Sequence, residues 1–265
     1  GGWHSGYFHD LATYLNQHGI FCASYDQVNC GYSDPEPDIP SPGVVHVRDF
    51  DCFVEDLCEA VSWMQKESSN TTAPVILFGE SFGSLQVLAA AFEREFYKCT
   101  VDGVIISGGM LKISKQFLPP QPVVSALVWL AQYYPKIVMP ATDFESTFDD
   151  AFGDKEWART ARADPKVTRQ IKPTIGAVAA TLGTGQKLLS KAQSFPVPLY
   201  ALHGKGDTRT SCEAIQEFVD RIGPNRATME YVDTSGHQLL QDTPEIVKSI
   251  QMKVKNWIVQ ISSGK

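Results

Sequence analysis

The feature that most constrains this chain is a five-residue turn, Gly79-Glu80-Ser81-Phe82-Gly83, set between an apolar run and an Ala-rich stretch. Pro74 opens the run Val75-Ile76-Leu77-Phe78, which predicts a short buried strand, and Phe82 to Tyr97 predicts a helix following with almost no loop. A strand that becomes a helix within so few residues must bend sharply at the serine. Glycines at 79 and 83 fit that bend, because a Cβ at either position is expected to collide with the neighbouring strand and helix. Such a turn pushes the Ser81 hydroxyl out at the C-terminal edge of a sheet. It also aims the N–H groups of the helix start at negative charge developing there.

The rest of the chain alternates helices with short apolar strands, which predicts an α/β fold: a mostly parallel sheet flanked by helices. Gly6 to Gln17 reads as a helix and Gly19 to Tyr25 as a buried strand, with a Pro-, Asp- and Gly-rich loop from Gln27 to Pro42. Val47 to Lys66 reads as a helix whose stripe is Phe50, Phe53, Val54, Leu57, Val61 and Met64. Strands are expected at Val101–Ser107, Val197–Leu202 and Ala227–Val232, and helices at Ser211–Ile222 and Pro244–Ile261. Between the Val101 and Val197 strands the chain changes character. Prolines 119, 120, 122, 135 and 140 punctuate it, an apolar segment runs from Val123 to Tyr134, Phe- and Asp-rich turns follow, and Ile171 to Ala192 is helical in pattern. That span is too long for a crossover and too apolar for a linker, so it reads as an inserted helical cap. The expected division is core at 1–110, cap at 111–194 and core again at 195–265.

A serine hydroxyl needs a base to take its proton, and the base needs a carboxylate to orient it. In the chain order Ser, acid, His, the base must follow Ser81. Of six histidines, His4, His9, His18 and His46 precede it. His203 ends a strand and reads as a buried structural residue. His237 lies in a loop between the last strand and the final helix, from which an imidazole reaches over the turn, so it is the expected base. Asp207, in the loop after the preceding strand, is the expected acid; Asp233, Asp220 and Asp242 are its rivals.

With those residues in place the chain resembles the monoacylglycerol lipase and lysophospholipase branch of the α/β-hydrolases, also called serine aminopeptidase-like (S33). Gly1 to Phe8 is similar to the segment that follows the family's His-Gly oxyanion motif, and Asp26 through Gly31-Tyr32-Ser33 to its Asp-His-x-Gly-His-Gly-x-Ser loop. Leu202-His203-Gly204 with Asp207, and Gly236-His237 with Leu239-Leu240, resemble its acid and base segments. Val101 to Ile105 through Pro119-Pro120 is similar to plant members described as caffeoylshikimate esterases. The chain departs from the family in that loop, whose first glycine is Asn29 here and whose second histidine is Cys30, and again at the His-Gly pair, which is absent from it. The His-Gly pair is expected just before Gly1, so the N-terminal strands read as missing, with further residues upstream. In the family the strand leading into that pair lies between the Gly19–Tyr25 and Val75–Phe78 strands, so a gap in the sheet is expected there.

The resemblance implies a serine hydrolase that cleaves a carboxylic ester of a lipid-like substrate, a monoacylglycerol or lysophospholipid, through an acyl-serine. Alternatives on the same scaffold are an esterase of a phenolic ester such as caffeoylshikimate, an aminopeptidase-like hydrolase, or a non-catalytic receptor. The implied oxyanion donors are the N–H groups of Phe82 and Gly1. Phe117, Leu118, Trp129 and Tyr133 are candidates to line the substrate pocket. Val123 to Ala131, apolar all round, is either a lipid-facing helix that brings the cap to a membrane or a helix packed on the core.

No cofactor or metal is expected, since six scattered cysteines include no CxxC pair and fit no zinc spacing. They read as reduced and structural. A net charge of −7 offers no footprint for nucleic acid. No run reaches the roughly 18–20 apolar residues of a membrane span, and Gly1-Gly2-Trp3-His4 opens no signal peptide. The expected location is cytoplasmic, at most peripheral to membranes.

Overall fold

The computed structural model describes residues 2–34, 44–47, 49–70, 72–114, 117–139, 147–168 and 171–263. In chain order the elements are α1 (His9–Asn16), β1 (Val44–Val45), α2 (Phe50–Glu67), β2 (Ile76–Glu80), α3 (Phe82–Phe92), α4 (Arg94–Tyr97) and β3 (Gly103–Ser107). There follow α5 (Gln121–Ala131), α6 (Lys155–Ala163), β4 (Lys172–Pro173), α7 (Ile175–Ser190), β5 (Leu199–Gly204), α8 (Cys212–Ile222), β6 (Ala227–Val232) and α9 (Pro244–Ser263). The main sheet runs β2-β3-β5-β6 with every pair parallel. The register sets Glu80 opposite Ser107 and Ser107 opposite Leu202, so the C-terminal ends of β2, β3 and β5 form one edge. β1 pairs with β4 as a separate two-stranded ribbon.

Alternation along the central strands divides the core in two. Val104, Ile106, Leu199 and Ala201 face α2, α3, α7 and α8. Ile105, Tyr200 and Leu202 face α1 and α9, where they meet Leu11, Leu15, Ile250, Val254 and Ile258. β3 and β5 are buried on both faces, as expected of near-continuous apolar runs in a parallel sheet. The residues between β3 and β5 carry α5, α6 and α7, an inserted helical region.

Three expectations about elements need correction. Gly19–Tyr25 is not a strand: residues 20–27 join no ladder among the described residues, and Phe21 is exposed. Apolar sequence gave it strand character, but a strand needs a ladder partner, and β2 is not hydrogen-bonded to it. A cavity of about 370 Å³ opens between the two, walled by Ile20, Cys22, Tyr25, Leu57, Met64, Ile76 and Phe78. The gap in the sheet lies where it was expected. The helix expected from Phe82 to Tyr97 breaks at Glu93 into α3 and α4 and ends at Lys98, which has a left-handed backbone (φ 52°). Helix α6 was expected as turns. Among the described residues no helix is long and apolar enough to cross a membrane.

Candidate active site

Ser81 lies between the last residue of β2 and the first of α3, with φ 52° and ψ −119°, a conformation side chains rarely take. The ladder holds it there: its N–H donates to Ser107 O at 2.9 Å. Its carbonyl accepts from the N–H (3.0 Å) and hydroxyl (2.6 Å) of Ser84, whose oxygen in turn accepts from the N–H of Met110 at 2.8 Å. Gly79 is required as expected, since a Cβ there would stand 2.5 Å from Gly83 O and 2.6 Å from Val87 Cγ2. Gly83 is not: a Cβ there would meet nothing within 4 Å, because its face of α3 is open.

The structure brings Ser81, His237 and Asp207 together from three separate loops. His237 Nε2 lies 2.9 Å from Ser81 Oγ, and Nδ1 lies 2.7 Å from Asp207 Oδ2. Ser81 and His237 are buried, as is the Asp207 side chain. Burial alone would raise the Asp207 carboxyl, but the contacts with His203 and His237 outweigh it and hold the group well below the ordinary carboxylate range. Asp233 instead lies exposed beside Lys205, Asp220 takes a bond from Gln216 on α8, and Asp242 accepts from Thr234.

Several partners carried no sequence signal. Thr210 Oγ1 donates to Asp207 Oδ2 at 2.9 Å, and the N–H of Arg209 donates to Oδ1 at 2.7 Å. Gly108, at φ +54°, packs against His237; a Cβ there would stand 2.9 Å from His237 O and 3.1 Å from its ring. Glu80 and Gln238 stand beside the serine and the histidine on the cavity wall. Burial pushes the Glu80 carboxyl up to about 8, and its remaining exposed surface faces the cavity. With its amide nitrogen presented, Gln238 donates to Glu80 Oε2 at 2.6 Å and Oε1 at 3.2 Å.

The Phe82 N–H, at the first position of α3, has no acceptor one turn back. Gly1 lies outside the described residues; Gly2 is buried with φ +84°. The neighbouring loop is built on Asp26, whose two oxygens accept from the N–H groups of Ser5 (2.6 Å) and Tyr32 (2.8 Å). Asn29 adopts φ 65°, so the asparagine takes the left-handed turn that a glycine would take freely. Phe117 lies under the Arg209 guanidinium (5.9 Å) and Leu118 is partly buried. Trp129 and Tyr133 are exposed and pack on each other with centroids 5.4 Å apart. None of these four lines the cavity that reaches Ser81. Helix α5 buries Val124 and Ala131 and leaves Val123 and Trp129 exposed, so only one side of it is packed. None of the six cysteines forms a disulfide among the described residues.

A parallel sheet clasped by helices, an inserted helical region and a serine on a strained turn at the strand ends together define an α/β-hydrolase. The family model described as serine aminopeptidase, S33 matches residues 1–244. The chain belongs to that family. It is related to monoglyceride lipases: 23% identical over 259 residues to the one from Rattus norvegicus (97% of this chain, 79% of that protein). To the monoglyceride lipase homolog of Monkeypox virus it is also 23% identical, over 97% of this chain and 86% of that one. Among solved structures it resembles the monoacylglycerol lipase of Paleococcus ferrophilus, with TM-score 0.77 and 20% identity over 98% of this chain and 91% of that one. A soluble variant of monoglyceride lipase from Saccharomyces cerevisiae, in complex with a substrate analog, gives TM-score 0.79 and 18% identity over 98% and 84%. At these identities the structural likeness establishes the fold.

Proposed function

We propose that this chain hydrolyses carboxylic esters of lipid-like substrates, a monoacylglycerol or a lysophospholipid, through an acyl-serine intermediate. The single observation that carries the reading is the unbroken run of hydrogen bonds from Ser81 Oγ through His237 to Asp207. In that run His237 Nδ1–H donates to the carboxylate, which leaves Nε2 free to accept the serine proton. As Oγ attacks the ester carbonyl, its proton passes to Nε2, and Asp207 stabilises the imidazolium without itself being protonated. The N–H of Phe82 donates to the developing oxyanion, with a second donor assigned to Gly1. His237 then gives its proton to the departing alcohol. It takes one from the water that attacks the acyl-serine and returns it to Ser81 Oγ as the acid leaves.

In this reading residues 111–194 form the cap over a core made of 1–110 and 195–265. Phe117, Leu118, Trp129 and Tyr133 belong to the path by which the acyl group enters, and the exposed side of α5 meets the lipid phase. The relatedness to monoglyceride lipases favours the neutral glyceride over a phenolic ester such as caffeoylshikimate, an aminoacyl amide or a receptor's ligand. The test compares hydrolysis of long-chain monoacylglycerol, lysophospholipid, caffeoyl ester and aminoacyl-arylamide, with fluorophosphonate labelling of Ser81 and Ser81→Ala as control. Preferential turnover of the caffeoyl ester or the arylamide would displace this reading. Failure of Ser81 to label would favour the receptor.

A further inference from the structure

One short turn of the inserted region, residues 147–152, touches both loops that serve Ser81. The carbonyl of Ala151 accepts from two consecutive N–H groups, those of His237 (2.9 Å) and Gln238 (2.8 Å). Four residues earlier, the carbonyl of Thr147 accepts from Nη2 of Arg209, whose own N–H donates to Asp207 Oδ1. The turn is itself firmly seated. Phe148 and Phe152 are buried and pack on Trp3 with ring centroids 6.2 and 5.4 Å away, and Arg162 of α6 holds Asp149 at 2.7 Å. Both loops are therefore fixed to the same small rigid body.

Arg209 is an expensive way to make that contact. Burial works against its charge, and its Nε has no hydrogen-bond partner among the described residues. A guanidinium held at such a cost asks for a reason beyond packing, since an apolar side chain would fill the space without desolvating a charge. Its geometry supplies one, because it spans from the Asp207 loop to the turn that anchors the His237 loop. We propose that Arg209 is a positioning residue: by tying Asp207 to the Thr147–Phe152 turn, it keeps the carboxylate and the imidazole in a common register. Without it the histidine loop still follows the turn through Ala151, and the aspartate loop no longer does. This inference rests on the hydrolase reading above.

The test uses p-nitrophenyl butyrate hydrolysis and the rate of fluorophosphonate labelling in the full chain. The variants are Arg209→Met, Arg209→Lys, Asp207→Asn and the double variant. Arg209→Met should lower kcat by about 10- to 100-fold, the scale of an ångström's misplacement, with KM changed less than about twofold. Arg209→Lys, which still offers a donor to Thr147 O, should recover most of that loss. In the Asp207→Asn background Arg209→Met should cost nothing further, because its effect passes through Asp207. A fully active Arg209→Met, or an equal loss with and without Asp207, overturns the inference. Circular dichroism checks the fold; should the methionine variant not fold, Arg209→Lys and Arg209→Gln carry the same comparison. A wild-type chain that neither turns over nor labels sinks the hydrolase reading and the role of Arg209 with it. An active wild type beside an unimpaired Arg209→Met sinks the role of Arg209 alone.

Discussion

His203 Nε2 stands 3.2 Å from Oδ2 of Asp207, the same oxygen that meets His237 Nδ1 at 2.7 Å. His203 is fully buried at the end of β5, so two imidazoles converge on one carboxylate oxygen. A carboxyl depressed in the folded state adds stability above its unfolded value of about 3.9 and loses it as pH falls through the folded value. The contact with His203 enlarges the stability held at neutral pH and stretches its loss down to strongly acidic pH. In His203→Leu burial has less to oppose it and the Asp207 carboxyl rises toward its unfolded value. Thermal unfolding followed from pH 7 to pH 3 should then show the variant less stable at pH 7 and falling less steeply than the wild type, so that the two curves converge; parallel curves would count against this account.

Ser81 is held in a backbone conformation that costs a side-chain-bearing residue about 1–3 kcal/mol. Ser81→Ala and Ser81→Gly both remove the hydroxyl, but only glycine relieves the strain. Urea unfolding should find Ser81→Gly the more stable of the two by about 1 kcal/mol, the reverse of their order in an ordinary helix. Neither should label with a fluorophosphonate.

The two glycines beside the serine should behave differently. Gly79→Ala drives a methyl group into the Gly83 carbonyl and Val87, and backbone must shift to admit it. A loss of about 1–3 kcal/mol is expected. Gly83→Ala enters open space inside a helix and should be neutral or stabilising by about 0.5–1 kcal/mol. Equal melting temperatures for the two variants would refute the distinction.

Glu80 has the opposite sign to Asp207. Its folded value of about 8 lies above its unfolded one, so its contribution is complete at low pH and is lost as pH rises through about 8. Glu80→Gln stays neutral throughout and should flatten the fall in stability between pH 5 and pH 8.5, read by urea unfolding at each end. A variant as pH-dependent as the wild type would exclude Glu80 as the source.

How legible all this was depended on whether side chains or backbone carried the information. The strands at 103–107 and 199–204 announced themselves because apolar residues on both faces have no other solution, and those at 76–80 and 227–232 as short runs set off by their neighbours. Ser81, Asp207 and His237 could be nominated because chain order and strand ends restrict the choices, and the structure sets them within hydrogen-bonding distance of one another. The Gly19–Tyr25 segment misled because apolarity specifies burial but not a partner. Helix α6 was missed because its sequence is mostly polar; its signals were Asp154, which caps Glu156 N–H at 2.8 Å, and the buried pair Ala158 and Ala161. The carbonyls of Thr147 and Ala151 left no trace, since a backbone acceptor looks the same in every residue. Arg209 was visible as a charge two residues past an aspartate, a position that gives no hint of burial.

The ladder between β2 and β3 sets how firmly the reactive serine is presented. Ser81 N–H bonds to Ser107 O, so by the alternation of a parallel ladder the amides of Leu77 and Gly79 also point toward β3. Deuterium should therefore enter slowly at 77, 79 and 81, in step with one another, because one neighbouring strand must part to release all three. The stiffness of the peptide that carries the hydroxyl is thus borrowed from β3, a strand that supplies none of the three side chains.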